Sequence, residues 1–225
     1  MQGTEIKLFP VVVRCYDIQG HEELTDELIP FFKASPYQAQ SNIPEGVITS
    51  RPNLHRLENP ALKLLHHHFH NALEEYRDTY QLCCDRLDIT LSWFNYAPAR
   101  SGFGHPLHRH PMSYLSAVYY LTEGAPTIFE DPCTPRTSDC LDIWRKDLME
   151  SDLGINEKID AKPGRLIIFP SWLKHYSGRQ LEDYDRWSMS FNVMPWGRIN
   201  IGPYGEPQLC ISQVPFEEIE SLKSL

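Results

Sequence analysis

The chain has 225 residues, 41% of them hydrophobic and 12% aromatic, which is enough apolar side chain to fill one large core. A formal net charge of −9 and a pI of about 5.5 argue against a general nucleic-acid binder or a protein held on anionic membranes, since those need a positive field to attract phosphate, and leave room only for a small local basic patch. No apolar run approaches the roughly 20 residues that span a bilayer, and residues 1–7 lack a basic stretch followed by an apolar one. A soluble, cytoplasmic, single-domain protein over residues 1–225 is therefore expected. The 6 cysteines are spaced too irregularly for a zinc ribbon or a disulfide framework. Cys133 and Cys140 could close a short loop, but reduced thiols are the expectation for all six.

Residues 8–16 are rich in β-branched and aromatic side chains, with Pro10 near their start, and predict a first strand. Residues 22–33 carry Leu24, Leu28, Ile29 and Phe32 at helical spacing and stop before Pro36. Residues 46–53 form a loop or short strand. Asn59 suits an N-cap with Pro60 at the first helical position, and Leu62, Leu65, Phe69, Leu73 and Tyr76 mark one face of a helix predicted to run to about Cys84. Residues 1–86 thus form an N-terminal strand and helical layer.

From Leu87 the pattern changes to short strands divided by Gly, Pro and Asp, at residues 89–96, 114–121, 127–130, 166–169 and 187–193. That spacing predicts a mainly β core, an antiparallel sandwich or barrel over residues 87–197. Residues 133–162 interrupt the run, with a short helix at 142–148, and have the length and position of a lid. Residues 198–225 are expected to form a C-terminal tail with an acidic, solvated helix near its end.

In an extended chain, residues two apart face the same side, so His108 and His110 can present both rings to one ion while Arg109 points away. Pro111 keeps His110 extended. His105 falls on the other parity, as a supporting, substrate-facing or surface group. His175 follows the buried-strand pattern of Leu166, Ile167, Ile168 and Phe169. An isolated H-x-H pair is ordinarily a surface loop, and a lone histidine is ordinarily hydrogen-bonded in a core or exposed in a turn. The pair, a third histidine and a strand-borne arginine in this order point instead to a metal. His66, His67, His68 and His70 resemble a metal tract, but inside a periodic helix their rings point in several directions, so packing and solvation account for them. In residues 186–193 polar and apolar side chains alternate strictly, which puts Arg186, Ser188, Ser190 and Asn192 on one face of a strand and implies a lined pocket. A guanidinium clamps a carboxylate bidentately and Ser188 can add a hydrogen bond, so an anionic co-substrate is expected beside the metal. A surface arginine on an edge strand is the plainer reading, and it loses ground once the place of Arg186 after His175 is counted.

These stretches, together with Ser92-Trp93-Phe94-Asn95-Tyr96, residues 105–121, Phe129-Glu130-Asp131-Pro132 and residues 163–175, resemble the Fe(II)/2-oxoglutarate-dependent oxygenase superfamily. The nearer likeness is to its branch of small oxygenases with an H-x-H-P loop and an S-x-Y-Y-L strand, and it spans most of residues 89–193. The resemblance implies a double-stranded β-helix (a cupin-like jelly roll) with Fe(II) at its open end, held by His108, His110 and His175. It implies that 2-oxoglutarate chelates the iron through its keto acid end and meets Arg186 and Ser188 with its far carboxylate. Asn95, Tyr114 and Tyr120 would then orient the co-substrate, and His105, Tyr114 and Trp93 would face the substrate. With O2 as oxidant, the implied reaction is hydroxylation of a small-molecule or amino-acid-like substrate, releasing succinate and CO2.

One feature departs from the superfamily's common pattern of two histidines and a carboxylate, because His110 stands where the carboxylate is usual. Losing an anionic ligand raises the net charge of the site by one and strengthens its pull on an anionic chelator. It also argues against a halogenase, which vacates this position. A carboxylate from Glu130 or Asp131 is an alternative third ligand, although Asp131-Pro132 resembles a structural turn. Two other classes stay open: a cupin-type three-histidine metal enzyme that does not use 2-oxoglutarate, and a non-catalytic sensor of 2-oxoglutarate or metal. Neither the prime substrate nor the oligomeric state is legible.

Overall fold

Helix α1 (His21–Ala34) and helix α2 (Pro60–Thr79) form one layer, and each is held by an apolar stripe. In α1, Leu24, Leu28 and Phe32 recur one turn apart and are buried, while Glu22 and Glu23 in the first turn and Lys33 in the last complement the helix dipole. The Asn59 side chain accepts a hydrogen bond from the Leu62 N–H at 2.9 Å and caps α2, and Pro60 fills the first turn, where its missing N–H leaves no bond unmade. α2 ends at Thr79 rather than near Cys84 because the chain turns at Gln81, whose φ is 49°. The computed structural model describes residues 11–34, 47–50, 52–132 and 156–212. No helix among them is long and apolar enough to cross a membrane.

The strands are β1 (Arg14–Asp17), β2 (Ile48–Thr49), β3 (Cys84–Ala97), β4 (Leu115–Tyr120), β5 (Gly124–Glu130), β6 (Asn156–Ala161), β7 (Arg165–Pro170), β8 (His175–Ser177), β9 (Arg186–Ile201) and β10 (Pro207–Ile211). The larger sheet runs β1-β7-β4-β9-β3-β2, with β10 also on β9, and the smaller runs β6-β5-β8. All named pairs are antiparallel.

Strand periodicity divides the larger sheet into two faces. Trp187, Met189, Phe191 and Val193 of β9 pack with Leu28 and Phe32 of α1 and Leu62 and Phe69 of α2. Phe69 stacks on Phe191, and Phe32 on Phe94 of β3, each with ring centroids 4.6 Å apart. On the other face, Tyr120, Ile167 and Phe169 close against Phe129 and Ala161 of the smaller sheet. Each fully buried side chain of this size contributes roughly 1.5–3 kcal/mol. The result is a helical layer over a double-stranded β-helix, as expected.

Several boundaries differ from expectation. The first strand begins at Arg14, and the start of the predicted 8–16 span lies outside the described residues. The predicted insertion at 133–162 is too long, because residues 156–161 are β6, in register with β5 through Phe129 and Glu157. The remainder of that predicted lid, including its helix, Cys133 and Cys140, lies outside the described residues. The predicted tail is also shorter: β9 runs on to Ile201 and returns as β10, with Gly205 at φ +83° in the connection. The acidic C-terminal helix lies outside the described residues.

Candidate metal centre

His108 and His175 come from distant segments, yet each N–H donates to the other's carbonyl at 2.9 Å, forming one antiparallel bridge. The bridge sets their rings side by side, with centroids 4.4 Å apart. His110, two residues on, shares the face of His108. Its N–H donates to the Ser171 carbonyl at 3.0 Å, and its Nε2 lies 3.3 Å from His175 Nε2. One ligand nitrogen from each ring lies within 4.8 Å of the others. Imidazoles bound to an ion at about 2.0–2.1 Å stand roughly 3–4 Å apart, so the group fits a single ion.

Two of the rings have their second nitrogen anchored. His175 Nδ1 lies 3.0 Å from the Leu173 carbonyl and His108 Nδ1 lies 2.7 Å from the Pro106 carbonyl. In the tautomer where Nδ1–H donates to those carbonyls, each Nε2 lone pair is left for a metal. Burial, reinforced by the neighbouring imidazoles, lowers the pKa of His110 to about 3 and that of His175 to about 4. Both rings are therefore neutral near pH 7, the form that binds metal.

The three rings line a cavity of about 410 Å³, counting its open mouth. Arg186 lines it too, from the first position of β9, and its side chain is buried. Its Nε–H donates to the Ala125 carbonyl at 3.0 Å and its Nη1 to Ser188 Oγ at 3.2 Å, while Nη2 has no hydrogen bond among the described residues. No carboxylate among the described residues pairs with Arg186 or lines the cavity. Burial pushes its pKa down. A buried cation without a counter-ion is costly, and an anion entering the cavity would offset that cost.

Other predicted residues take distinct places. The Trp93 ring stacks on His110 at 5.7 Å. Asn95 lines the cavity, but its Nδ2 donates to Ser190 Oγ at 3.0 Å and its Oδ1 accepts from Thr49 Oγ1 at 3.2 Å. His105 lines it, with its ring 5.8 Å from that of His108, and burial, then the charge of Arg186, lowers its pKa to about 3. Tyr120 does not line the cavity. Its hydroxyl donates to Thr127 Oγ1 at 2.6 Å, and its ring lies 5.7 Å from the guanidinium carbon of Arg186, so it supports the arginine from behind. Tyr114 is carried into a neighbouring cleft by a turn at Met112, whose φ is 58°. Glu130 is no ligand: Thr127 and Phe129 point inward, so Glu130 points out and pairs with Lys174 at 3.3 Å. Asp131 does not line the cavity either. The histidines of α2 join no metal-sized group among the described residues, and His66 is buried in the helical layer.

Two supports were not foreseen. Gln180 is fully buried, and its Oε1 accepts from the Ala125 N–H at 3.0 Å, fixing the peptide that holds Arg186. Ser171 Oγ lies 2.8 Å from Ser116 Oγ, which donates to Asn192 Oδ1 at 3.1 Å, and this chain backs the carbonyl that holds His110. Both Gln180 and Ser171 sit outside the strands, where no periodic signal marks them.

Residues 91–192 match the family described as "Putative 2OG-Fe(II) oxygenase". No curated protein matches the chain. Among solved structures it is similar to the non-heme alpha-ketoglutarate-dependent carbocyclase SnoK from nogalamycin biosynthesis, with 12% identity, a TM-score of 0.62, and 89% of this chain and 90% of that one covered. It is similar to a prolyl-4-hydroxylase of Pseudomonas putida, with 12% identity, a TM-score of 0.57, and 82% and 93% covered. It is also similar to HygX of Streptomyces hygroscopicus, solved with nickel and 2-oxoglutarate bound, with 12% identity, a TM-score of 0.57, and 92% and 94% covered. At such identities these likenesses establish the fold.

Proposed function

We propose, from the match of residues 91–192 to the 2OG-Fe(II) oxygenase family, a mononuclear metal enzyme with its ion on His108, His110 and His175 beside an arginine that takes an anionic co-substrate. The observation that carries this reading is that three imidazoles and the buried Arg186, which meets no carboxylate among the described residues, line one cavity. Three neutral ligands leave the ion's charge uncompensated, and Arg186 adds to it, so the cavity favours an anion.

An iron(II) ion bound there would supply open coordination positions to a chelating acid and to dioxygen. The protein's own part is positional. Trp93 stacks on His110 and fixes its plane, the Leu173 and Pro106 carbonyls orient the other two rings, and Gln180 and Tyr120 hold the arginine from behind.

The ligand set favours a cupin-type three-histidine enzyme that works without 2-oxoglutarate, because His110 replaces the usual carboxylate. Arg186 with Ser188 is the specific observation in favour of a second version, a 2-oxoglutarate-dependent hydroxylase of a small molecule that releases succinate and CO2. In that version Nη2 of Arg186 and the Ser188 hydroxyl bind the far carboxylate, and His105 faces the substrate. The deciding experiment is anaerobic reconstitution with iron(II), followed by oxygen and 2-oxoglutarate. Succinate formation with oxygen uptake selects the second version, stoichiometric iron without succinate selects the first, and failure to bind iron defeats both.

A further inference from the structure

A second and wider cleft, about 820 Å³ counting its open mouth, shares His110 with the metal cavity and no other lining residue among the described residues. Its walls are aromatic and apolar: Tyr76, Tyr114 and Trp172, with Met112 and Leu115. Met112 is 91% exposed, Trp172 53% and Tyr114 43%. Large apolar side chains gathered so openly beside a cavity mark a binding surface rather than a folding requirement.

The charge in this cleft has one sign. Arg109 lines it, and among the described residues no Asp, Glu or Lys does. Because Arg109 alternates with His108 and His110, its guanidinium leaves the metal face, and it makes no hydrogen bond or ion pair among the described residues. Ser113, the other short polar side chain, is already committed, its Oγ donating to the Leu115 carbonyl at 2.6 Å. Among the described residues the cleft thus offers aromatic faces, one free cation and no acid, a set that attracts an aromatic anion and repels a cation.

We propose that this cleft binds the organic substrate, and that the substrate is a flat, aromatic-bodied carboxylate or similar organic anion. Its ring lies against Trp172 and Tyr114, its anionic group meets Arg109, and its other end reaches the edge of the cleft at His110. This rests on the reading of the three histidines as the metal centre, and it divides the work between two arginines: Arg186 for the co-substrate and Arg109 for the substrate.

The test uses 2-naphthoate and its uncharged analogue 2-naphthamide, titrated calorimetrically into the metal-free full chain. Arg109→Gln should weaken 2-naphthoate roughly fivefold and leave 2-naphthamide nearly unchanged, as fits a solvent-exposed ion pair. Trp172→Ala should weaken both by about tenfold. Arg186→Gln should leave both as in the unaltered protein. Absence of 2-naphthoate binding, equal weakening of acid and amide by Arg109→Gln, or weakening by Arg186→Gln in place of Arg109→Gln would each overturn the assignment. A parallel nickel titration separates the two readings. Nickel bound without 2-naphthoate defeats the cleft alone, and 2-naphthoate bound without nickel defeats the metal centre alone.

Discussion

Trp187, Met189, Phe191 and Val193 on one face of β9 are buried, and so are Arg186, Ser188, Ser190 and Asn192 on the other, but the two faces meet different neighbours. The first set packs on the aromatic and aliphatic side chains of α1 and α2 and is held by apolar burial. The second set looks into the fold, and each member needs a hydrogen-bond partner to avoid a desolvation cost. Ser190 finds Asn95, Asn192 finds Ser116, and Ser188 finds Arg186, which keeps one nitrogen without a partner among the described residues. Burial alone therefore does not tell a core from a site. A buried wall whose hydrogen-bonding capacity is left partly unused is organised around something that enters later.

The comparison breaks most visibly on the helical side. Phe191→Ala should destabilise the protein by about 3–5 kcal/mol, read from urea unfolding, while metal stoichiometry is kept under folding conditions. If the loss is under about 1 kcal/mol, the helix-facing side is not the source of stability. On the inner side, His175→Ala should cost more than about 100-fold in metal affinity, since loss of a supporting hydrogen bond alone costs 10–100-fold. An unchanged affinity in anaerobic iron(II) or nickel titration would remove His175 from the ligand set.

Arg186→Met sharpens the contrast further. It should reduce affinity for an anionic co-substrate more than about tenfold, yet leave the metal-free protein as stable or more stable by roughly 1 kcal/mol, because an uncompensated buried charge is removed. A large stability loss in urea would make the arginine structural.

The smallest expected effect concerns His66, a histidine on the apolar side whose buried Nε2 has no hydrogen-bond partner among the described residues. Burial lowers its pKa to about 3, below the value of 6.5 in the unfolded chain. The unfolded chain therefore takes up the proton first, so stability is complete above about pH 6.5 and falls as pH drops toward 3, by at most about 1.4 kcal/mol per pH unit for one group. His105, His110 and His175 act in the same direction, so the informative quantity is a difference. Urea midpoints at pH 7 and pH 5 should lie closer together in His66→Leu than in the unaltered protein, and an equal spacing would refute the assignment.

Features with a local signal were legible in the sequence. The alternation of residues 186–193 gave the two faces of β9, Asn59-Pro60 gave the start of α2, and the parity of His108 and His110 put both rings on one side. What escaped depends on long-range main-chain contacts or on unusual backbone angles. β8 is only three residues long and is defined by its pairing with β5. β10 faces solvent on most of its length and so lacks an apolar pattern. Tyr114 leaves the cavity because the non-glycine Met112 adopts a positive φ, and Gln180 acts through one peptide N–H of a distant strand.

The bridge between His108 and His175 has a consequence for how long the protein survives. His110 and His175, two of the proposed ligands, are 65 residues apart in the chain, and the backbone bonds beside them are the seam along which those segments join. An ion seated across that seam acts as a rivet: local opening there would have to release it first, so loading raises the free energy of opening by an amount set by metal concentration over dissociation constant. Protease attack that proceeds through such openings should slow in proportion. Metal supply would then regulate not only whether the centre works but how quickly each empty copy is cleared.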